Sequence, residues 1–445
     1  MKISIIGTGY VGLVSGVCLA QKGHQVICVD VDPEKIAKIS QGVSPIYEKG
    51  LETLLGNHAQ TNLIASTDFK KAVLDTEVSL IAVGTPFDGS EIDLTYIKQV
   101  SQQIGNVLKE KSGYHLVVVK STVVPGTTDT VVLPILEQAS GKKAGVDFGV
   151  GMNPEFLREG EAVEDFLNPD RIVVGGLDLK SQDLLEKVYE GFPGVPVLKT
   201  TNSTAEMIKY TSNSLLSTLI SFSNEIGNLC ASMGNVDALE VMKGVHLDKR
   251  LSPILPDGQR VVPVLTTYLE AGCGFGGSCF PKDVKAIIAH GMKIGQSMEL
   301  LQAVIEVNTR QPMEMISLLK KHFATLQDVR VGVLGLAFKP GTDDMRESPA
   351  IPIVENLLKL GAKVKAYDPV ARQEAEKCFA NSEIIYCDGL EQALEDVDVI
   401  VVLTRWREFS RVQQLIKEKT PQPLLVDGRR MFDKHQIEKY EGIGL

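Results

Sequence analysis

The first 150 residues alternate short apolar runs with stretches whose apolar residues recur at helical spacing. Lys2–Ile6, Gln25–Val29, Val78–Val83 and His115–Lys120 predict strands, and Val11, Val14, Ser15, Cys18 and Leu19 share a helical face. Strands alternating with helices imply βαβ units and a parallel sheet covered on both faces. The last 130 residues repeat the style, with strands predicted at Arg330–Gly335, Lys363–Tyr367, Val399–Leu403 and Leu424–Val426. Between these ends, strand signals thin out over about 200–310. Ser203–Met233 there predicts one long amphipathic helix, with Ala205, Ile208, Leu215, Leu219, Phe222, Ile226 and Leu229 spaced by three, four or seven. A helix of that length between two α/β sheets is a natural spacer and dimer surface. The expected domains are 1–200, 201–315 and 316–445.

Composition narrows the function classes. The chain of 445 residues is 44% apolar and 23% charged, close to soluble globular averages. Its net charge of −10 argues against nucleic-acid binding through a general basic surface, yet leaves room for an anionic small molecule held by a few local cations. No window of about 18 consecutive apolar residues predicts a membrane span. The first residues read as a strand running into a glycine turn rather than as a signal peptide. Seven scattered cysteines with no Cys-x-x-Cys pair argue against a disulfide framework or a zinc site, and for a reducing cytoplasm.

Gly7-Thr8-Gly9-Tyr10-Val11-Gly12 follows a predicted strand and opens a predicted helix, the context a dinucleotide-binding turn requires. Gly7 permits the tight turn, Gly9 lets a pyrophosphate approach the backbone, and Gly12 lets helix pack on strand. Asp30 ends the second strand eighteen residues after Gly12, where a ribose diol partner belongs. A carboxylate there repels a 2′-phosphate, so NAD is expected rather than NADP; Lys35, close by, tempers that preference and joins the cofactor-binding set. The loops Val83-Gly84-Thr85-Pro86 and Lys120-Ser121-Thr122-Val123 end later strands at the edge of the same cleft. Each, taken alone, reads equally as turn chemistry.

Three further segments are dense in reactive groups. Asn153–Gly160 holds Glu155 and Glu159, which would share one face if the segment were helical; an ordinary solvated helix start is the plainer reading. Lys209 and Asn213 lie four apart on the long helix and form one polar point, by default a solvated pair. Gly272–Gly277 carries four glycines in six residues, a backbone that can wrap a ligand closely. Cys279 follows it, with Lys282 and Asp283 just beyond. Most cysteines are structural, but a thiol beside exposed amides and a lysine is a candidate nucleophile.

Together these segments resemble the UDP-glucose 6-dehydrogenase/GDP-mannose 6-dehydrogenase family over essentially the whole chain. The resemblance is carried by Gly7–Gly12, Asn153–Gly160, Ala205–Asn213, the string from Gly274 to Asp283, Phe338-Lys339 and Arg346-Glu347-Ser348. It implies two Rossmann-like doubly wound parallel-sheet domains, joined by a long central helix and a small helical dimerisation domain. It also implies oxidation of a nucleotide sugar's C6 hydroxymethyl to carboxylate with two NAD⁺ and no metal. On the same basis Cys279 attacks the C6 aldehyde, and a thiohemiacetal then a thioester follow. Lys209 and Asn213 stabilise oxyanions, Asp283 and Glu155 handle protons and water, and Thr122 belongs to both the catalytic and cofactor sets. Tyr10, Val11, Thr85, Ser121, Glu159 and Arg346 are assigned to NAD. The substrate falls to Glu155, Phe156, Leu157, Arg158, Glu159, Lys209, Asn213, Gly274, Phe275, Gly276, Phe338, Lys339 and Arg429, with Arg250 reaching the partner subunit's active site in a homodimer.

After Leu251-Ser252-Pro253 the chain carries Ile254–Thr267, where many UDP-glucose members have only a few residues; Pro256-Asp257-Gly258 predicts a turn within it. UDP-glucose is the expected substrate, with GDP-mannose and UDP-N-acetylhexosamines as alternatives. Outside the family, a two-electron 3-hydroxy acid dehydrogenase would need neither Cys279 nor a second α/β domain. A non-catalytic nucleotide-sugar sensor would have no need to keep Cys279, Lys209 and Asp283.

Overall fold

A computed structural model describes residues 1–380 and 382–445. The chain forms two compact units, Met1–Ser212 and Asn213–Leu445. In the first, β1 (Lys2–Ile6), β2 (Gln25–Val29), β3 (Leu63–Ser66), β4 (Val78–Ile81), β5 (His115–Val119), β6 (Phe148–Met152), β7 (Ile172–Gly176) and β8 (Val197–Thr200) make one sheet of order β3-β2-β1-β4-β5-β6-β7-β8. In the second, β9 (Arg330–Leu334), β10 (Lys363–Tyr367), β11 (Ile384–Tyr386), β12 (Val399–Val402), β13 (Leu424–Asp427) and β14 (Tyr440–Gly442) follow the order β11-β10-β9-β12-β13-β14. Each order reverses direction beside its first strand, the mark of a doubly wound sheet. Apolar clusters flank both sheets, Leu13, Val17 and Leu80 in one cluster and Ile104, Val117 and Leu136 in another for the first sheet.

All eight strands expected from the sequence form, most shifted at the carboxyl end by one or two residues. Six more complete the sheets. β3, β8, β11 and β14 are three- or four-residue edge strands, too short to stand out as apolar runs. β6 and β7 are buried throughout but broken by glycines. A Cβ on Gly149 would lie 2.6 Å from the Tyr114 hydroxyl, so packing there excludes a side chain. One expectation is corrected. β6 and β7 pair antiparallel, through Gly151 with Gly176 and Met152 with Gly175, in an otherwise parallel sheet.

The long helix runs from Asn202 to Met233, and the division between the units falls within it. Its buried side is small and polar: Ser217, Ser221, Ser223 and Asn224 are at most 2% exposed. Leu215, Phe222 and Leu229, seven residues apart, are instead 54%, 51% and 57% exposed. The periodicity is as expected, but the apolar stripe faces outward. Among the described residues, no helix is long and apolar enough to cross a membrane.

Candidate functional site

The first unit holds its reactive groups at the carboxyl ends of β1, β4, β5 and β6. Gly7 leaves β1 at φ +100°, and a Cβ there would sit 2.7 Å from the Ala82 carbonyl oxygen. A Cβ on Gly12 would lie 2.0 Å from the Gly7 oxygen, whereas one on Gly9 would meet nothing within 4 Å. The turn is therefore tight where helix meets strand and open where a pyrophosphate would approach. Gly9 is the N-cap of the helix Tyr10–Gln21, so the amides of that first turn face the same opening. The Asp30 carboxylate accepts from the Thr8 N–H (2.8 Å), the Thr8 hydroxyl (2.6 Å) and the Asp32 N–H (3.1 Å). Burial would raise its pKa, but these hydrogen bonds and nearby Lys35 hold it below the usual value. Oδ2 takes both Thr8 donors, and Oδ1, which accepts only the Asp32 N–H, keeps a lone pair for a ribose hydroxyl. These residues fit NAD.

The two loops beside the turn are locked to each other. Thr85 donates from its hydroxyl to the Thr122 carbonyl (2.7 Å), and Ser121 donates to Val83 O (2.7 Å). Tyr10 donates to Glu48 and accepts from the Gly160 N–H (3.0 Å); Glu48 also accepts from Gly160 (2.7 Å) and Ala162 (3.0 Å). That buried carboxylate ties the glycine turn to the loop after β6.

That loop, 153–160, is not helical, so Glu155 and Glu159 do not share a helix face. Glu155 instead pairs with Lys209 at 2.8 Å, the two side chains 5% and 4% exposed, and accepts the Leu157 N–H at 2.7 Å. Burial pushes the Glu155 carboxyl up, and Lys209, that amide and Lys120 outweigh it. Phe156 lies under Lys209, 5.6 Å from its ring centroid, with Arg171 at 3.9 Å. Arg158 is held by Asp165 (2.6 Å) and Glu161 (2.8 Å) on the surface.

Lys120 and Asn153 were not singled out in the sequence. Lys120 is buried, donates to Asn153 Oδ1 at 2.8 Å, and has its pKa pushed down to about 8, chiefly by burial and also by Lys209, against the pull of Glu155. The available signal was a lysine closing the apolar run 116–119, since lysine is almost never fully buried without a partner.

In the second unit Cys279 is partly exposed and is the N-cap of the helix Phe280–Lys293, with the Ser278 hydroxyl 3.6 Å from its sulfur. In the next turn the buried Asp283 carboxylate accepts from Lys282 Nζ and from Asn213 Nδ2, both at 2.6 Å. Lys209 and Asn213 thus meet different carboxylates. The glycine loop is as close-fitting as its composition suggests. A Cβ on Gly276 would lie 2.2 Å from the Glu347 carbonyl oxygen, and one on Gly277 would lie 2.7 Å from the Phe338 ring. Asn308, missed in the sequence, brackets Phe275 by accepting its N–H (2.8 Å) and donating to its carbonyl (3.0 Å). Arg429 donates to Gly274 O at 3.1 Å and Leu403 O at 2.7 Å. Lys339 sits 5.6 Å from the Phe338 ring centroid. Arg346 and Arg250 both lie in exposed side-chain pairs, with Asp344 (2.7 Å) and Asp248 (2.5 Å).

Fold and site define an NAD-dependent α/β dehydrogenase. Three family models cover nearly the whole chain: the UDP-glucose/GDP-mannose dehydrogenase family's NAD binding domain at residues 1–193, its central domain at 203–310 and its UDP binding domain at 332–434. A UDP-glucose 6-dehydrogenase of Haloferax volcanii is 42% identical over the full length of both chains. A GDP-mannose 6-dehydrogenase of Pseudomonas aeruginosa is 44% identical over 90% of this chain and 89% of its own. The solved structure of a UDP-glucose dehydrogenase from Pyrobaculum islandicum superposes with a TM-score of 0.89 at 38% identity, covering 99% of this chain and 97% of that one. The chain belongs to the UDP-glucose/GDP-mannose dehydrogenase family of NAD-dependent nucleotide-sugar 6-dehydrogenases.

Proposed function

We propose that the chain oxidises UDP-glucose to UDP-glucuronate, consuming two NAD⁺ and one water and releasing two NADH, through a thioester on Cys279. The observation that carries this reading is Cys279 at the start of a fourteen-residue helix, with Lys282 and Asp283 in its first turn. A helix N-terminus favours an anion, so a thiolate is stabilised there. NAD⁺ accepts the hydride at each of the two oxidations. In the first, the C6 alcohol loses a hydride and a proton to become the aldehyde, and Lys209 stabilises the oxyanion. The Cys279 sulfur then bonds to C6, giving a thiohemiacetal whose loss of hydride leaves the thioester. Water adds to the thioester carbonyl, the C–S bond breaks, and carboxylate and thiol are released. Asp283 and Glu155 handle the protons and position that water, and Asn213 and Thr122 complete the proposed catalytic set.

Asp30, Lys35, Thr85, Ser121 and Glu159 serve NAD within a domain spanning 1–200, joined by Arg346 from 316–445. Phe338, Lys339 and Arg429 serve the nucleotide sugar from 316–445, together with Gly274–Gly276 and the 155–159 stretch. The outward stripe of Leu215, Phe222 and Leu229 supports a homodimer along the long helix, within a domain spanning 201–315, with exposed Arg250 reaching the partner. The seven free cysteines fit a reducing compartment, the cytoplasm.

GDP-mannose is the second reading, favoured by the 44% identity to the Pseudomonas relative, and the Ile254–Thr267 segment departs from many UDP-glucose members. That segment forms a hairpin, Ile254 bridging Arg260 around the turn at Gly258 (φ +84°), and Arg260 donates to Leu247 O (2.9 Å) and Ser252 O (2.8 Å). Incubation with NAD⁺ and a panel of nucleotide sugars, following NADH, tests both. The expected result is two NADH per sugar, with the highest kcat/KM for UDP-glucose. One NADH per sugar would defeat the four-electron reading, and a clear preference for GDP-mannose would move the substrate without touching the chemistry.

A further inference from the structure

Glu206 lies on the long helix three residues before Lys209 and is 0% exposed. Its carboxylate is held by one loop: Oε2 accepts the Gly126 N–H at 2.6 Å, and Oε1 accepts the Thr128 N–H at 2.8 Å and the Thr128 hydroxyl at 2.6 Å. The loop returns the contact. Asp129 accepts from Asn202 Nδ2 at 2.7 Å and from the Ser203 hydroxyl at 3.2 Å, in the first turn of the long helix. Each segment thus places a carboxylate on the start of the other. Thr128–Val132 is π-helical and runs directly into the helix Leu133–Ser140. Wide turns of this kind recur at functional sites.

A simple cap by Ser or Asn satisfies one or two amides next to it in sequence, whereas Glu206 comes from another element and takes three donors on its two oxygens. Here burial, with Asp129 adding to it, pushes the Glu206 carboxyl up to about 7. Upstream, the same loop is pinned where the Thr122 carbonyl accepts the Thr85 hydroxyl at 2.7 Å. The stretch from Thr122 to Thr128 is therefore fastened at both ends, on one side to the β4 loop and on the other to the helix carrying Lys209.

We propose that Glu206 is a positioning residue: with Asp129 it clasps the 121–128 loop to the long helix and holds Thr122 and Lys209 at one fixed spacing. This rests on the reading of Thr122 and Lys209 as active-site residues. Glu206→Gln keeps the shape but turns an amide NH₂ toward donors that need an acceptor. The variant should take up deuterium faster across 121–130, bind NAD⁺ about tenfold more weakly by calorimetry, and lose about tenfold in kcat, the cost of one charge-assisted hydrogen bond. The KM for the nucleotide sugar should stay within about twofold, a split that a general loss of fold would not produce. Asp129→Asn should show the same pattern from the other side, and it decides the matter if Glu206→Gln does not fold. Faster exchange in a folded variant whose NAD⁺ affinity and kcat stay within about twofold of wild type marks a local cap only, and overturns the proposal. Exchange and NAD⁺ binding need no sugar, so they separate failure of the clasp from failure of the substrate reading.

Discussion

At the residue scale, the chemistry rests on side chains whose partners differ sharply in kind. Cys279 sits at a helix start, partly exposed, while Cys18 and Cys28 are buried in the core with thiols pushed up to about 12 by burial. Of these three, the first is the one the proposed mechanism uses. Cys279→Ala cannot form a thioester, so it should lose net acid formation by several orders of magnitude while still binding NAD⁺ and sugar by calorimetry. Acid formation at a near wild-type rate would return Cys279 to a structural role. Asp30 makes a second residue-scale test. Its carboxylate keeps acceptor capacity beyond its bonds to Thr8 and Asp32, so Asp30→Ala should weaken NAD⁺ use by about tenfold or more and relax discrimination against NADP⁺. A wild type that prefers NADP⁺ would refute the assignment. The proposed roles of Cys279, Lys209 and Asp283 start from the sequence, where reactive residues beside glycine runs or at helical spacing stand out. Glu206 and Asn308 were not legible there, since nothing local says that a given polar residue will be buried, and Lys120 carried only the weak signal of a lysine closing an apolar run.

At the element scale, the first sheet carries a polar chain through its core. His115 on β5 bonds Ser79 on β4 at 2.8 Å and the Thr76 carbonyl at 3.1 Å, and Ser79 meets Ser4 on β1 at 2.7 Å. Burial, aided by the charge on Lys111, pushes the imidazole pKa down to about 3 from its ordinary 6.5. Between those two values the unfolded chain binds a proton that the folded chain does not. Stability from this group is therefore complete above pH 6.5 and falls as the pH drops toward 3. From pH 7 to pH 5 wild type should lose on the order of 1–2 kcal/mol more than His115→Gln in chemical denaturation. Equal losses would mean that His115 charges freely in the fold. The strands of this sheet were legible where apolar runs were unbroken. They were hidden where glycine replaced a side chain that packing could not admit, as at Gly149.

At the scale of the whole molecule, the long helix presents Leu215, Phe222 and Leu229 outward while Ala205 and Tyr210 are buried. Burying Leu215, Phe222 and Leu229 against a second copy would remove a heptad-spaced stripe from water, each half-exposed side chain contributing about 1 kcal/mol when covered. Leu215→Arg/Phe222→Arg should convert a dimer into monomers in sedimentation, with the circular dichroism spectrum unchanged. A wild type that sediments as an active monomer would sink the dimer.

The sequence by itself determined the two α/β sheets, the long helix, the glycine turn with Asp30, and the Cys279–Asp283 cluster. All of these rest on local periodicity and short spacings, which a linear chain displays directly. Tertiary structure alone decided that Glu155 pairs with Lys209 and Asn213 with Asp283, that β6 and β7 run antiparallel, and that the apolar stripe of the long helix faces out. Those outcomes depend on which buried polar group finds which partner across 50 to 70 residues of chain, and satisfying buried charges is a property of the packed interior rather than of any segment.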